Sequence, residues 1–249
     1  MLFSQLKFII MKIRAFLSLL LSLFIMNQMF AKSIETDSFQ SKNGEPISIN
    51  FIQHASFFII YEGITIYVDP VHYDGVDYKI LPKADVILVT HEHYDHLDKE
   101  VIAQISTSNT VVFCNKPAYE TLKMGIVLSN GDQVSYAIDI EAVPSYNTTE
   151  GRERYHPKGR DNGYIITLGG SRIYIPGDCE DMPEMSTFKD IHAAFLPIYQ
   201  PYTMTVEQAV NAAKTLNPKI LYPIHYGDTD LKGLSALQQT GIDVRIFKM

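Results

Sequence analysis

Cysteine is nearly absent. Cys114 and Cys179 are the only two among 249 residues, so at most one disulfide can form. Cys114 sits in a strand-like run and Cys179 directly follows Asp178, which favours two free thiols. Basic charge is also in deficit, with 21 Lys and Arg against 28 Asp and Glu and a formal net charge of −7. A chain of that sign makes a poor bulk partner for nucleic acid. No repeat, low-complexity tract, charge block or linker interrupts residues 40–249. Nor is there an uninterrupted apolar run of the roughly 20 residues that a spanning helix needs.

The longest apolar run, Ala15 to Met26, follows Lys7, Lys12 and Arg14 and precedes Ala31. Its length and basic start predict a cleaved secretory signal over 1–31, with Met11 as an alternative start and an uncleaved anchor as the competing reading. Cleavage would leave no stable membrane anchor and would place the chain in the periplasm or outside the cell. The net charge would move from −7 to −10, since that segment holds three basic and no acidic side chains. Residues 40–249 then read as one domain, and 46% hydrophobic composition permits a substantial core.

What is present in abundance is histidine, and in one place. Thr90-His91-Glu92-His93-Tyr94-Asp95-His96-Leu97-Asp98 follows the buried-strand run Val86-Ile87-Leu88-Val89. Three imidazoles and the carboxylate of Asp95 in six positions are borderline-to-hard donors suited to zinc, iron or manganese, and their density suggests a split between two ions. Spacings of two and three do not fit a helical His-Glu-x-x-His site, which needs ligands four apart on one face.

Elsewhere the pattern alternates strands and helices. Ile47, Ile49 and Phe51 alternate, Ser56–Tyr61 and Ile64–Val68 flank a Glu62-Gly63 turn, and Val134, Tyr136, Ile138 and Ile140 read as one further strand. Asp98 is a candidate cap for a helix through Val101, Ile102 and Ile105, and a strand Thr110–Cys114 and a short helix from Pro117 follow. Tyr164–Leu168 joins Arg172–Ile175 through Gly169-Gly170. Thr205 and Gln208 form a capping box for a helix ending at Asn217-Pro218. Strand Lys219–Pro223, a helix near Leu231–Leu237 and strand Val244–Phe247 finish the chain. Two strand-rich halves with covering helices make an α/β protein of two packed sheets with helices outside.

The His-x-His-x-Asp-His segment resembles the hallmark of the metallo-β-lactamase superfamily. Tyr67-Val68-Asp69-Pro70, Pro176-Gly177-Asp178 and Pro223-Ile224-His225-Tyr226 look like that family's further motifs, in its order, over about 180 residues. Gln53-His54-Ala55-Ser56-Phe57, Met182-Pro183-Glu184-Met185 and the ending Ile224-His225-Tyr226 are most similar to the branch of the ascorbate-6-phosphate lactonases and N-acylphosphatidylethanolamine phospholipases. The resemblance implies a four-layer αββα sandwich. It also implies one or two divalent ions, with His91 and His93 on the first, Asp95, His96 and His225 on the second, and Asp178 bridging. Asp69 would fix the tautomer of a ligating histidine, and His54 would line the mouth or simply close a turn. Water activated between such ions would make the chain a hydrolase of a small ester, lactone, amide or phosphodiester.

One position departs from that pattern. Where the family places another first-ion histidine, this chain reads Val143-Pro144-Ser145-Tyr146-Asn147. Either the first ion is loosely held, or Asn147 or His156 replaces the ligand, or one ion suffices. The alternatives are a turn residue at Asn147 and a solvent-exposed loop histidine at His156. The loop Arg152 to Arg160, with Lys158, offers cations for an anionic substrate, though Glu150, Glu153 and Asp161 dilute it. Asp95 is a candidate catalytic carboxylate, and Tyr146, Tyr226 and Tyr202 are candidate oxyanion donors. The competing functional reading is a metal-holding binding or sensor protein without turnover, and true β-lactamase activity fits the Tyr146-Asn147 departure poorly. Oligomeric state leaves no trace in the sequence.

Overall fold

The computed structural model describes residues 34–249; the expected signal segment over 1–31 lies outside them. Residues 34–72 and 78–249 form one compact unit. Of a second unit, the described part is Tyr73–Asp77, a turn in which Val76 N donates to Tyr73 O.

The large unit holds two seven-stranded sheets. The first runs in the order β1 (Glu35–Gln40), β2 (Pro46–Gln53), β3 (Ser56–Tyr61), β4 (Ile64–Val68), β5 (Val86–Val89), β6 (Val111–Cys114) and β7 (Ile126–Val127). The second contains β8 (Gln133–Ser135), β9 (Asp139–Ser145), β10 (Asp161–Leu168), β11 (Ser171–Ile175), β12 (Ile191–Pro197), β13 (Ile220–Ile224) and β14 (Asp243–Val244). In each sheet the first four strands pair antiparallel and the last four parallel. The topology therefore repeats although the sequence shows no repeat, because register and direction depend on patterning rather than on identity.

Period-two alternation decides what each sheet buries. Ile47, Ile49, Phe57, Val86 and Phe113 of the first sheet meet Ile140, Tyr164, Ile173, Phe195 and Tyr222 of the second in one buried core. Phe57 and Phe195 stack with ring centroids 4.3 Å apart. A second core lies on the outer face of the second sheet, where Ile165, Ala194, Leu196 and Leu221 pack with Ala209, Ala213 and Leu216 of helix α3 (Val206–Leu216). Thr205 and Gln208 close the expected capping box on that helix. Helix α1 (Lys99–Ile105) is capped by Asp98, whose side chain accepts from Glu100 N and Val101 N, and buries Val101, Ile102 and Ile105. Asn115 caps helix α2 (Lys116–Leu122). Two sheets with helices form the expected α/β sandwich.

Three expectations change. The alternating run Val134 to Ile140 is a hairpin, in which Val134 faces Ile140 and Tyr136 N donates to Ile138 O. Alternation continues on both sides of a tight turn, so spacing alone does not reveal the break. Residues 231–237 form a 3₁₀ helix. The last strand is Asp243–Val244, beyond which Phe247 leaves the ladder to stack on Phe51 at 4.4 Å. The strand Ile191–Pro197, which no motif marked, lies near the middle of the second sheet.

Candidate metal centre

The site forms where strands end. Asp69, just past β4, is 1% exposed. Its Oδ1 accepts from Thr90 N at 2.8 Å, and its Oδ2 accepts from Thr90 Oγ1 at 2.7 Å and faces His96 Nδ1 at 2.8 Å. The loop after β5 then turns tightly, with His96 N and Leu97 N both donating to His93 O. That turn gathers His91, His93 and His96 on one side. Pro176-Gly177-Asp178 follows β11 and comes close to the same loop. A side chain at Gly177, whose φ is +67°, would meet Thr90 Cβ at 2.8 Å, so glycine is required for the approach. His225 follows β13, and its N–H donates to His54 O at 2.8 Å. His54, Asp69 and His225 all hold left-handed backbone, with φ of 62°, 42° and 48°. Such conformations are uncommon outside glycine and concentrate where function over-determines the chain.

The donors fall into three overlapping groups: His54, Asp95, His96 and His225; His91, His93 and His156; and His91, His96 and Asp178. Asp178 lies between the first two. Its Oδ1 is 3.3 Å from His96 Nε2, and its Oδ2 is 3.3 Å from His225 Nε2 and 3.5 Å from His156 Nε2. His91 Nε2, His96 Nε2, His225 Nε2 and Asp178 Oδ1 are buried and make no hydrogen bond. Buried polar atoms are rarely left so. Convergent, unpaired imidazole nitrogens beside a carboxylate are the donor set that divalent cations take, so the residues present fit the metal that the sequence implies.

The electrostatics agree with that reading. Burial alone would lower His225 and His96, but the Asp178 carboxylate outweighs it, holding His225 at about 9 and His96 well above the ordinary range. Burial would raise Asp178 and Asp95, yet the facing histidines keep both below the usual carboxylate range. His91, buried among other imidazoles, falls well below its ordinary value.

The structure brings His91, His93, Asp95, His96, Asp178 and His225 into this centre, with Asp69 behind His96. His54, about a quarter exposed, stands at the edge of the centre: its Nε2 is 3.3 Å from Asp95 Oδ2 and its ring centroid 3.6 Å from that of His225. His156 is 1% exposed and joins His91 and His93, which corrects the solvent-exposed alternative. Asn147 sits in the same loop, its buried Oδ1 without a hydrogen bond. Its Nδ2 donates to Tyr202 O at 2.7 Å and to Arg152 O, and its N–H donates to His156 O, so it folds the loop that delivers His156.

Three expected roles are not met. Tyr226 Oη donates to Phe247 O, so its hydroxyl is committed to the C-terminal segment. Tyr146 Oη donates to Glu184 Oε2 at 2.7 Å and accepts from Lys158 Nζ at 3.1 Å. Lys158 pairs with Glu184, Arg152 with Glu180 and Arg160 with Asp161. The basic loop therefore carries far less free charge for an anion than its sequence suggests. Tyr202, 41% exposed, stacks near Tyr199, whose ring lies 5.7 Å from His225. No sequence signal marked Tyr199 or Glu180, and Asp161 was marked only as a charge diluting the basic loop; their roles depend on contacts made across the loop. Cys114 and Cys179 are both free and buried.

The family described as the beta-lactamase superfamily domain matches residues 48–225. A UPF0173 metal-dependent hydrolase of Carboxydothermus hydrogenoformans is 30% identical over 193 residues, covering 72% of this chain and 84% of that protein. A second from Archaeoglobus fulgidus is 27% identical over 222 residues, covering 80% and 94%. A crystal structure from Parabacteroides distasonis, of a protein named as a metal-dependent hydrolase, is 51% identical with a TM-score of 0.85, covering 87% of this chain and all of that one.

Proposed function

The chain belongs to the β-lactamase superfamily domain family and is a metal-dependent hydrolase, and from that premise we propose that it cleaves a small ester, lactone, amide or phosphodiester. In this reading His91, His93 and His156 hold one divalent ion and Asp95, His96 and His225 a second, with Asp178 between them. Zinc best suits the donors, and manganese and iron are alternatives. The observation that carries the reading is that His91 Nε2, His96 Nε2, His225 Nε2 and Asp178 Oδ1 are buried without a hydrogen bond within overlapping groups of donors.

When bound, such ions lower the pKa of water and stabilise developing negative charge. The chain's own residues do the rest. Asp69 accepts from His96 Nδ1–H and so leaves Nε2 free to ligate. Asp95 and His54, each about a quarter exposed, form the open edge of their group; Asp95 carries its charge. With its carboxyl held below the usual range by His225 and His54 against the effect of burial, it stays ionised and accepts hydrogen bonds from whatever enters. Tyr199 offers a ring beside His225, backed by the stacked ring of Tyr202, on which substrate can rest.

The test is metal analysis of the purified full chain followed by turnover on a panel of generic esters, lactones, amides and phosphodiesters. Two ions per chain are expected, with hydrolysis of at least one class falling on the order of 100-fold or more in His96→Ala. Bound metal with no His96-dependent turnover across the panel would instead make the chain a metal-holding protein.

A further inference from the structure

Resting on the assignment of His91, His93 and His156 to one ion, we propose that Asp161 is the positioning residue of that site. It would do for His156 what Asp69 does for His96. His156 Nδ1 is 3.1 Å from Asp161 Oδ2, and both side chains are essentially buried, at 1% and 0% exposed. The opposite ring nitrogen of His156 faces Asp178 Oδ2 at 3.5 Å. His96 is built the same way, with Nδ1 on Asp69 and Nε2 towards Asp178. Each imidazole is therefore held between an outer carboxylate and the central one.

Asp161 is itself immobile. It opens β10, paired with Ser145 of β9. Its Oδ1 accepts from Arg160 Nε at 2.8 Å and Asn115 Nδ2 at 3.3 Å, and its Oδ2 accepts from Arg160 Nη2 at 2.9 Å as well as meeting His156. A carboxylate gripped along one edge by a guanidinium cannot rotate away, and its Oδ2 stands towards His156 Nδ1 as an acceptor. His156 must therefore donate from Nδ1, which leaves the lone pair on Nε2, the atom that faces the centre. A second effect comes with the first. Arg160 Nη2 lies 3.5 Å from His93 Nε2, and Asp161 offsets a positive charge that would otherwise oppose a cation there.

Two measurements test this. In the zinc-loaded full chain, long-range proton–nitrogen NMR of the imidazoles, assigned by loss of one signal set in His156→Ala, should report His156 protonated at Nδ1 and bare at Nε2. A proton on Nε2 would overturn the proposal. Metal analysis of the substituted chains is the second. Asp161→Asn should weaken the first ion about 10–100-fold and leave the second in place, whereas Arg160→Gln, which loosens the grip on Asp161 but keeps its carboxylate, should weaken the first ion less. If Asp161→Asn keeps both ions while His156→Ala loses one, the positioning role fails and the site assignment stands. If His156→Ala also keeps both, the site assignment fails and this inference with it. Equal loss in Asp161→Asn and Arg160→Gln would make Asp161 a structural prop of the loop, which also overturns the proposal.

Discussion

Asp69 shows at residue scale how one buried carboxylate can set a ligand's tautomer. It accepts from Thr90 N, from Thr90 Oγ1 and from His96 Nδ1. Asparagine there would keep the shape but present one donor edge, so it cannot satisfy all three. Asp69→Asn should weaken the second ion about 10–100-fold, read by competition with a chromophoric chelator. Unchanged affinity would show that His96 needs no orienting partner. The carboxylate was legible in the sequence because it ends a strand in a recognisable motif. His156 was legible only as one of several options, because its address along the chain carries no information until Asn147 N reaches His156 O and closes the loop. Tyr226 misled for the same reason: neighbouring His225 says nothing of where its hydroxyl points.

At the scale of elements, the decisive piece is the loop between β9 and β10, which contains no regular structure and nevertheless delivers His156 to the centre. Glu180 holds it. The fully buried carboxylate accepts from Thr148 N, Thr148 Oγ1 and Thr149 N through Oε2, and from Arg152 Nη1 through Oε1. Glu180→Ala would leave two backbone donors without that acceptor. The expected cost is about 1–3 kcal/mol in urea unfolding of the metal-free chain, together with weaker retention of the ion at His156. An unchanged unfolding midpoint would remove Glu180 from this role. Helices α1 and α3 could be read from their caps and apolar stripes, since those signals are local. The hairpin of β8 and β9 could not, because its two strands continue one alternation.

Across the whole molecule, neither sheet builds the centre alone. The first brings His54, Asp69 and the His91 to His96 loop; the second brings His156, Asp178 and His225. Their meeting concentrates carboxylates and imidazoles that hold protons: His225 sits at about 9 and His96 well above its ordinary value, through Asp178 against the effect of burial. Those protons must leave before a cation is ligated, so metal affinity should rise as pH climbs from 6.5 towards 9. Calorimetry of zinc binding near pH 7.5 should therefore show an enthalpy that varies with buffer ionisation heat; a buffer-independent value would contradict protonated histidines in the apo chain. The repeated strand order has a practical corollary. β4 and β11 both run towards the chemistry, so the turns at which they begin, Glu62-Gly63 and Gly169-Gly170, lie at the far rim, about 16 Å of strand away. Tethering the protein to a bead or electrode through the Glu62-Gly63 turn would leave the reactive mouth facing open solution.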